Sequence, residues 1–162
     1  MGLNIMTTFT KWFLLNAVVL TAVFFAETKG AISLMVKSDV SYLTIVIMTL
    51  YIIVSAMVGR LCYLADRLDT RKVENDKEKL AAQAEVGWFA AEHFFSLGLL
   101  GTVFGLCVAT ATNLDAEAPV NDIVAGLKGG LNTAFYTTIC GIVFSLPLQT
   151  QLMILRFKLE QE

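Results

Sequence analysis

The chain is poor in the residues from which metal centres and hydrolytic sites are built. It has one histidine, three cysteines and two prolines among 162 residues, and only 16% of its residues are charged. His93 has no second histidine to join it, and the spacing of Cys62, Cys107 and Cys140 gives no ligand cluster, so no metal site is expected. The cysteines are odd in number and sit in or beside apolar stretches, where free thiols behave as small hydrophobes. No nucleophile is assembled with a base or a metal, so the chain is not expected to be an enzyme, to hold a cofactor or to bind nucleic acid. Long repeats, low-complexity tracts and a large charged domain are also absent.

What the chain has in abundance is apolar sequence. Hydrophobic residues make up 56% of it, more than a soluble domain of this size can cover. The uncharged runs 40–59, 94–114 and 129–155 each reach the roughly 20 residues that a bilayer core demands. A fourth apolar stretch, 8–26, carries Lys11 near its start. Lys11 and the small Ala26 also fit a signal peptide, but the apolar run continues through Phe24 and Phe25 and favours a retained helix. The expected fold class is therefore an all-α integral membrane protein, a single membrane domain over 1–162. Its helices are expected at about 8–28, 40–64, 94–114 and 123–155.

The segment 65–93 mixes charges of both signs at helical spacing, as in Glu74, Lys77 and Glu78, and is expected to extend the second helix as a solvated rod. Arg60, Arg67, Arg71, Lys72, Lys77 and Lys79 cluster between the second and third spans, whereas 115–122 carries acids and no base. Basic loops stay inside, so this segment and both termini are expected to be cytoplasmic, with Arg156 and Lys158 just past the last span. Trp88, Phe89, Phe94 and Phe95 mark re-entry into the membrane, where aromatic rings favour the interface.

Small residues and hydroxyls are distributed unevenly. At about 100° per residue, Gly98, Gly101, Thr102, Gly105, Ala109 and Thr112 fall on one helix face. Gly130, Ala134, Thr138, Gly141 and Ser145 do the same on the last helix, with Pro147 near its end. Glycine stripes allow close helix packing, and a hydroxyl can bond its own i−4 carbonyl. Either explanation suffices for each residue alone. No Asp, Glu, Lys, Arg or His lies at mid-membrane depth in these two helices, so a proton path through them needs a carboxylate from elsewhere.

The stretch 98–106, G-L-L-G-T-V-F-G-L, resembles the penultimate helix of the MotA/TolQ/ExbB proton-channel family, patterned close to G-L-L-G-T-V-x-G. The stretch 126–147 is similar to that family's last helix, with Gly141 and Pro147 in register. The resemblance implies that Thr138 stands at the pore threonine and Thr102 at its companion, with Thr133, Thr137 and Ser145 as further hydroxyls of the ion pathway. It further implies that Gly98, Gly101, Gly105, Ala109, Ala134 and Gly141 form a smooth pore face past which a central helix moves. On the same ground the chain would be the ring subunit of an ion-driven motor in a bacterial inner membrane. Five copies would surround a dimeric single-span partner of the ExbD, TolR or MotB kind, whose membrane aspartate carries the ion. The transported ion would be H+, with Na+ suggested by the second hydroxyl at Thr137.

The chain departs from the family pattern at two places. Thr133 stands where TolQ and ExbB relatives have a glutamate, and Phe95 where they have a proline. The absence of a large cytoplasmic region speaks against a flagellar role. The competing expectation is a structural tetraspan subunit of a larger membrane complex that conducts nothing.

Overall fold

In the computed structural model, residues 7–68, 74–111 and 119–160 are described. They form five helices in chain order: α1 (Thr8–Thr28), α2 (Ala31–Ser38), α3 (Leu43–Leu68), α4 (Glu74–Ala111) and α5 (Val120–Glu160). Four of them, α1, α3, α4 and α5, are long and apolar enough to cross a membrane. Thr112, the acidic turn at 115–118 and the basic pair Arg71 and Lys72 lie outside the described residues.

The first span falls where the sequence placed it. Its N-terminus is held by two devices. The Thr7 hydroxyl accepts from the Thr10 amide at 3.3 Å, while the Asp66 carboxylate accepts from the amides of Thr8 and Phe9 at 3.0 and 2.8 Å. These amides have no partner within the helix, and a carboxylate also suits the positive end of its dipole. Asp66 lies at the far end of α3, so α1 and α3 run antiparallel.

The helix α2 was not anticipated. Its 8 residues, between a glycine and Asp39, are amphipathic but too few to stand out in the sequence. Gly30, at φ 69°, turns the chain out of α1. Asp39 then orders the entry to α3: its carboxylate accepts from the Ser41 amide at 2.9 Å, the Ser41 hydroxyl at 2.6 Å and the Thr44 amide at 2.8 Å.

The charged connection is divided differently from the sequence expectation. The second long helix does run beyond 64, to Leu68, but from Glu74 onward the segment is the first part of α4. With 38 residues at about 1.5 Å each, α4 is roughly 57 Å long, nearly twice the hydrocarbon thickness. Nor is the projecting part a free rod. Leu80, Ala84, Gly87 and Ala91 recur at helical spacing and are buried, and Gly87 lies so near Leu152 that an added Cβ would come within 2.7 Å of it. The reason is length: α5 also continues past the membrane run, to Glu160, and supplies Leu152, Leu155 and Leu159 as a surface for α4 to cover.

The packed centre lies where α3, α4 and α5 meet, around Ile47, Val58, Phe94, Leu148, Leu152 and Leu155. Pro147 sits inside α5, and the helix continues for several turns beyond it. Proline lacks the amide that would bond the Val143 carbonyl, and membrane helices tolerate this where neighbours enclose the site. By contrast α1 is peripheral, with Phe13, Val18, Leu20, Phe24 and Phe25 all exposed.

Candidate functional site

The most intimate contact in the molecule is between α4 and α5, which run antiparallel. Glycines make it possible. A Cβ added at Gly105 would stand 2.5 Å from the Gly130 carbonyl oxygen and 2.6 Å from the Ala134 amide nitrogen, and one at Gly141 would stand 2.6 Å from the Phe94 carbonyl oxygen. Side chains do not approach backbone so closely, so at these positions two helix backbones touch. Ala109 packs against Gly130, and Gly98 against Thr138 and Gly141.

Within the single chain, the small-residue face expected to line a pore is a helix–helix contact. Gly98, Gly101, Gly105, Ala109, Ala134 and Gly141 are all buried. The two small-residue stripes face one another within a single chain. Smooth helices without side-chain bulk gain most by closing on each other, because close approach maximises dispersion contact where lipid offers no hydrophobic driving force. Either stripe alone announces a close neighbour without saying which, and here the neighbour is the other stripe.

At the edge of this seam two threonines meet. The hydroxyls of Thr102 and Thr138 are in direct hydrogen-bonding contact. Each also reaches the same two carbonyls: Thr138 lies 3.2 Å from Gly98 O and 3.0 Å from Ala134 O, and Thr102 lies 3.2 and 3.3 Å from them. Both side chains are half-buried, and within about one turn of them Leu99, Leu106, Phe135 and Ile142 are exposed. The pair is thus a polar spot on an apolar outer surface. Each hydroxyl has one proton and two lone pairs, so bonding between them and to a carbonyl leaves lone pairs free. These can accept a hydrogen bond from a protonated carboxyl or from water brought alongside.

The remaining hydroxyls are committed elsewhere. Thr137 is fully buried, packed on Gly101, and donates to the Thr133 carbonyl at 2.8 Å. Thr133 is also fully buried and faces the link between α2 and α3, accepting from the Val40 amide at 3.1 Å and donating to the Ser38 carbonyl at 3.2 Å. Ser145 donates across the seam to the Ala91 carbonyl at 2.9 Å and accepts from the Gln149 amide at 3.0 Å. So the structure brings Thr102 and Thr138 together at a reachable edge, puts Thr137 one layer inside, and sends Thr133 and Ser145 to separate structural contacts.

A second polar assembly went unnoticed in the sequence. Gln151 of α5 is fully buried and lies at the junction of α1, α3 and α5. Its carbonyl oxygen accepts from the Trp12 indole at 3.2 Å and from the Ser55 hydroxyl at 3.0 Å, and its amide nitrogen donates to Asn16 and to the Tyr51 hydroxyl, both at 3.4 Å. Ser55 also lies 3.0 Å from Asn16 Oδ1, and Trp12 reaches the Ser55 carbonyl at 3.1 Å. The available signal was Asn16 and Ser55, each alone in an apolar run, and Gln151, in the short polar stretch 149–151 of α5. Nothing in their spacing relates residues more than a hundred positions apart. Among the described residues no group of three or more His, Cys, Asp or Glu gathers to hold a metal.

An all-helical, multi-pass membrane protein with a glycine-lined helix pair and a threonine couple at its edge is the class these features define. The model of the MotA/TolQ/ExbB proton channel family matches residues 47–162, from within α3 to the C-terminus, and the chain belongs to that family. Membership makes it, in general terms, a subunit of the ion-driven motor type. No curated protein and no solved structure matches the chain.

Proposed function

We propose that the chain is the ring subunit of a motor that couples ion flow to mechanical work. It would act with a single-span partner that carries a membrane aspartate. The observation that supports this reading is the Thr102–Thr138 pair, which offers unspent lone pairs on a lipid-depth surface while the uncharged runs of α4 and α5 contain no Asp, Glu, Lys, Arg or His. A polar spot on an outer face is unfavourable against lipid, so it calls for a covering neighbour. A ring of copies, five by family precedent, encloses such faces around the partner helix. The proposed setting is a bacterial inner membrane with both termini cytoplasmic, in line with the basic connection between α3 and α4 and with Arg156 and Lys158 at the end of α5.

Protons are the coupling ion in this reading. Thr137 supplied the argument for sodium, and its hydroxyl is turned into the seam and bonded to the Thr133 carbonyl rather than presented at the edge. A sodium ion could reach that fully buried oxygen only if the seam opened.

The test uses the ring and its partner, identified by copurification with genomic neighbours, reconstituted into liposomes with a pH dye. Thr138→Val keeps the side-chain volume and removes the hydroxyl; assembly should persist while partner-dependent proton flux falls by about tenfold, the scale of one net polar contact. Loss of assembly with unchanged flux per complex assigns Thr138 to packing and favours the structural tetraspan. Flux driven by a sodium gradient alone, and abolished by Thr137→Ala, overturns the choice of ion.

A further inference from the structure

Between α3 and α4, just beyond the apolar run of α3, lies a cleft of about 310 Å³ lined by Met57, Arg60, Leu61, Leu64, Gln83 and Val86. It is separate from the threonine pair and from the Gln151 network. Its walls are apolar, and Leu64 and Val86 remain exposed along its rim. Its two polar groups are donors or can be: the guanidinium of Arg60 and the amide of Gln83. Arg60 is the first charge after an uncharged run that begins at Val40, which puts it at the edge of the hydrocarbon layer.

Arg60 is exposed and makes no hydrogen bond or ion pair with any described residue. The acid six residues on, Asp66, is occupied with the first amides of α1. A guanidinium left without a counter-ion at a bilayer edge, in a cleft whose other walls are apolar, suits a ligand that is anionic at one end and apolar at the other. We propose that this cleft binds the headgroup of an anionic glycerophospholipid. Arg60 grips the phosphate in its planar fork, Gln83 donates beside it, Leu64 flanks the headgroup, and the acyl chains descend along Met57 and Val86. The volume stands at the small end of ligand pockets, enough for a headgroup with the chains left in the bilayer. Basic clefts between membrane helices are an established setting for such headgroups.

The experiment is lipid retention by the assembled full-length protein in nanodiscs containing equal phosphatidylglycerol and phosphatidylcholine, read by native mass spectrometry after release into detergent. Wild-type protein should retain phosphatidylglycerol in preference to phosphatidylcholine, and Arg60→Gln should lower that preference about tenfold, the scale of one charge-assisted contact. Gln83→Ala should lower it less. Arg60→Lys keeps the charge without the fork, guards against misfolding of the first variant, and should fall between. Inorganic phosphate at millimolar concentration should not displace the lipid; displacement would identify a free-anion site instead. Equal retention by wild type and Arg60→Gln overturns the proposal. So does efficient crosslinking of Gln83→Cys between copies in the native membrane, which would assign the cleft to a subunit contact.

Discussion

The pair α4–α5 and the attachment of α1 are two ways of joining helices inside a membrane. Between α4 and α5 the contact is made by absence: glycines and alanines remove side chains until backbones meet. Around α1 it is made by presence. Trp12 and Asn16 reach out to Ser55, Tyr51 and Gln151, while apolar cavities of about 430 and 360 Å³ stay open beside α1. Only near Gly59, where an added Cβ would run into the Trp12 ring, does α1 come close to α3 in the glycine manner. The family match begins at residue 47 and so takes in the first kind of joint and leaves out α1. A glycine seam fixes two helices at one distance over many turns. A polar tether fixes one point and leaves the rest of the helix to lipid.

The comparison is broken most severely at Gly105. Gly105→Ala sets a methyl against the backbone of Gly130 and Ala134, neither of which is a flexible side chain able to yield. The expected cost is about 3 kcal/mol, at the upper end for overpacking, seen as a loss of folded protein in detergent-resistance or thermal-unfolding assays. An unchanged melting temperature would mean that the two helices can part without penalty.

A smaller effect is expected at the tether. Gln151→Leu keeps the bulk and removes partners of Trp12, Asn16, Tyr51 and Ser55. Hydrogen bonds between membrane helices are each worth only about 0.6 kcal/mol on average, so the loss should be about 1–2 kcal/mol. It should appear as faster cysteine labelling along α1 with the α4–α5 pair intact. If both joints loosen together, they are one cooperative unit and the contrast fails.

The smallest effect sharpens the comparison. Gly129 neighbours the seam residue Gly130, but an added Cβ there meets nothing within 4 Å. Gly129→Ala should be neutral, or stabilising by up to about 1 kcal/mol through helix propensity. A loss as large as that of Gly105→Ala would show that sequence position, rather than contact, governs these glycines.

The four spans were legible because bilayer thickness writes itself into uninterrupted apolar length, and the first helix is placed to the residue. The threonine couple was legible as well: Thr102 and Thr138, chosen through the family pattern, do meet. The direction of the small-residue stripes was not, since periodicity defines a face and is silent on what covers it. The partners of Thr133 and Ser145 were illegible for a related reason: a hydroxyl reads the same whether it bonds its own helix or a distant carbonyl. Nothing in the sequence marks Asp39 and Asp66 as caps, and only the folded chain shows each holding a helix N-terminus.

The tether at Gln151 also sets an order of events during synthesis. Its partners Trp12 and Asn16 precede it by 139 and 135 residues. At about 5–20 residues per second, α1 waits on the order of ten seconds after emerging before the group that secures it has been made. Through that interval α1 must reside in lipid on its own composition. Its nearly uncharged surface, exposed even in the finished molecule, suits it to doing so. The amides at its N-terminus gain Asp66 well before Gln151 appears. The helix is therefore anchored at its end first and along its side last, and a chain interrupted before Gln151 would carry an inserted but unfastened α1.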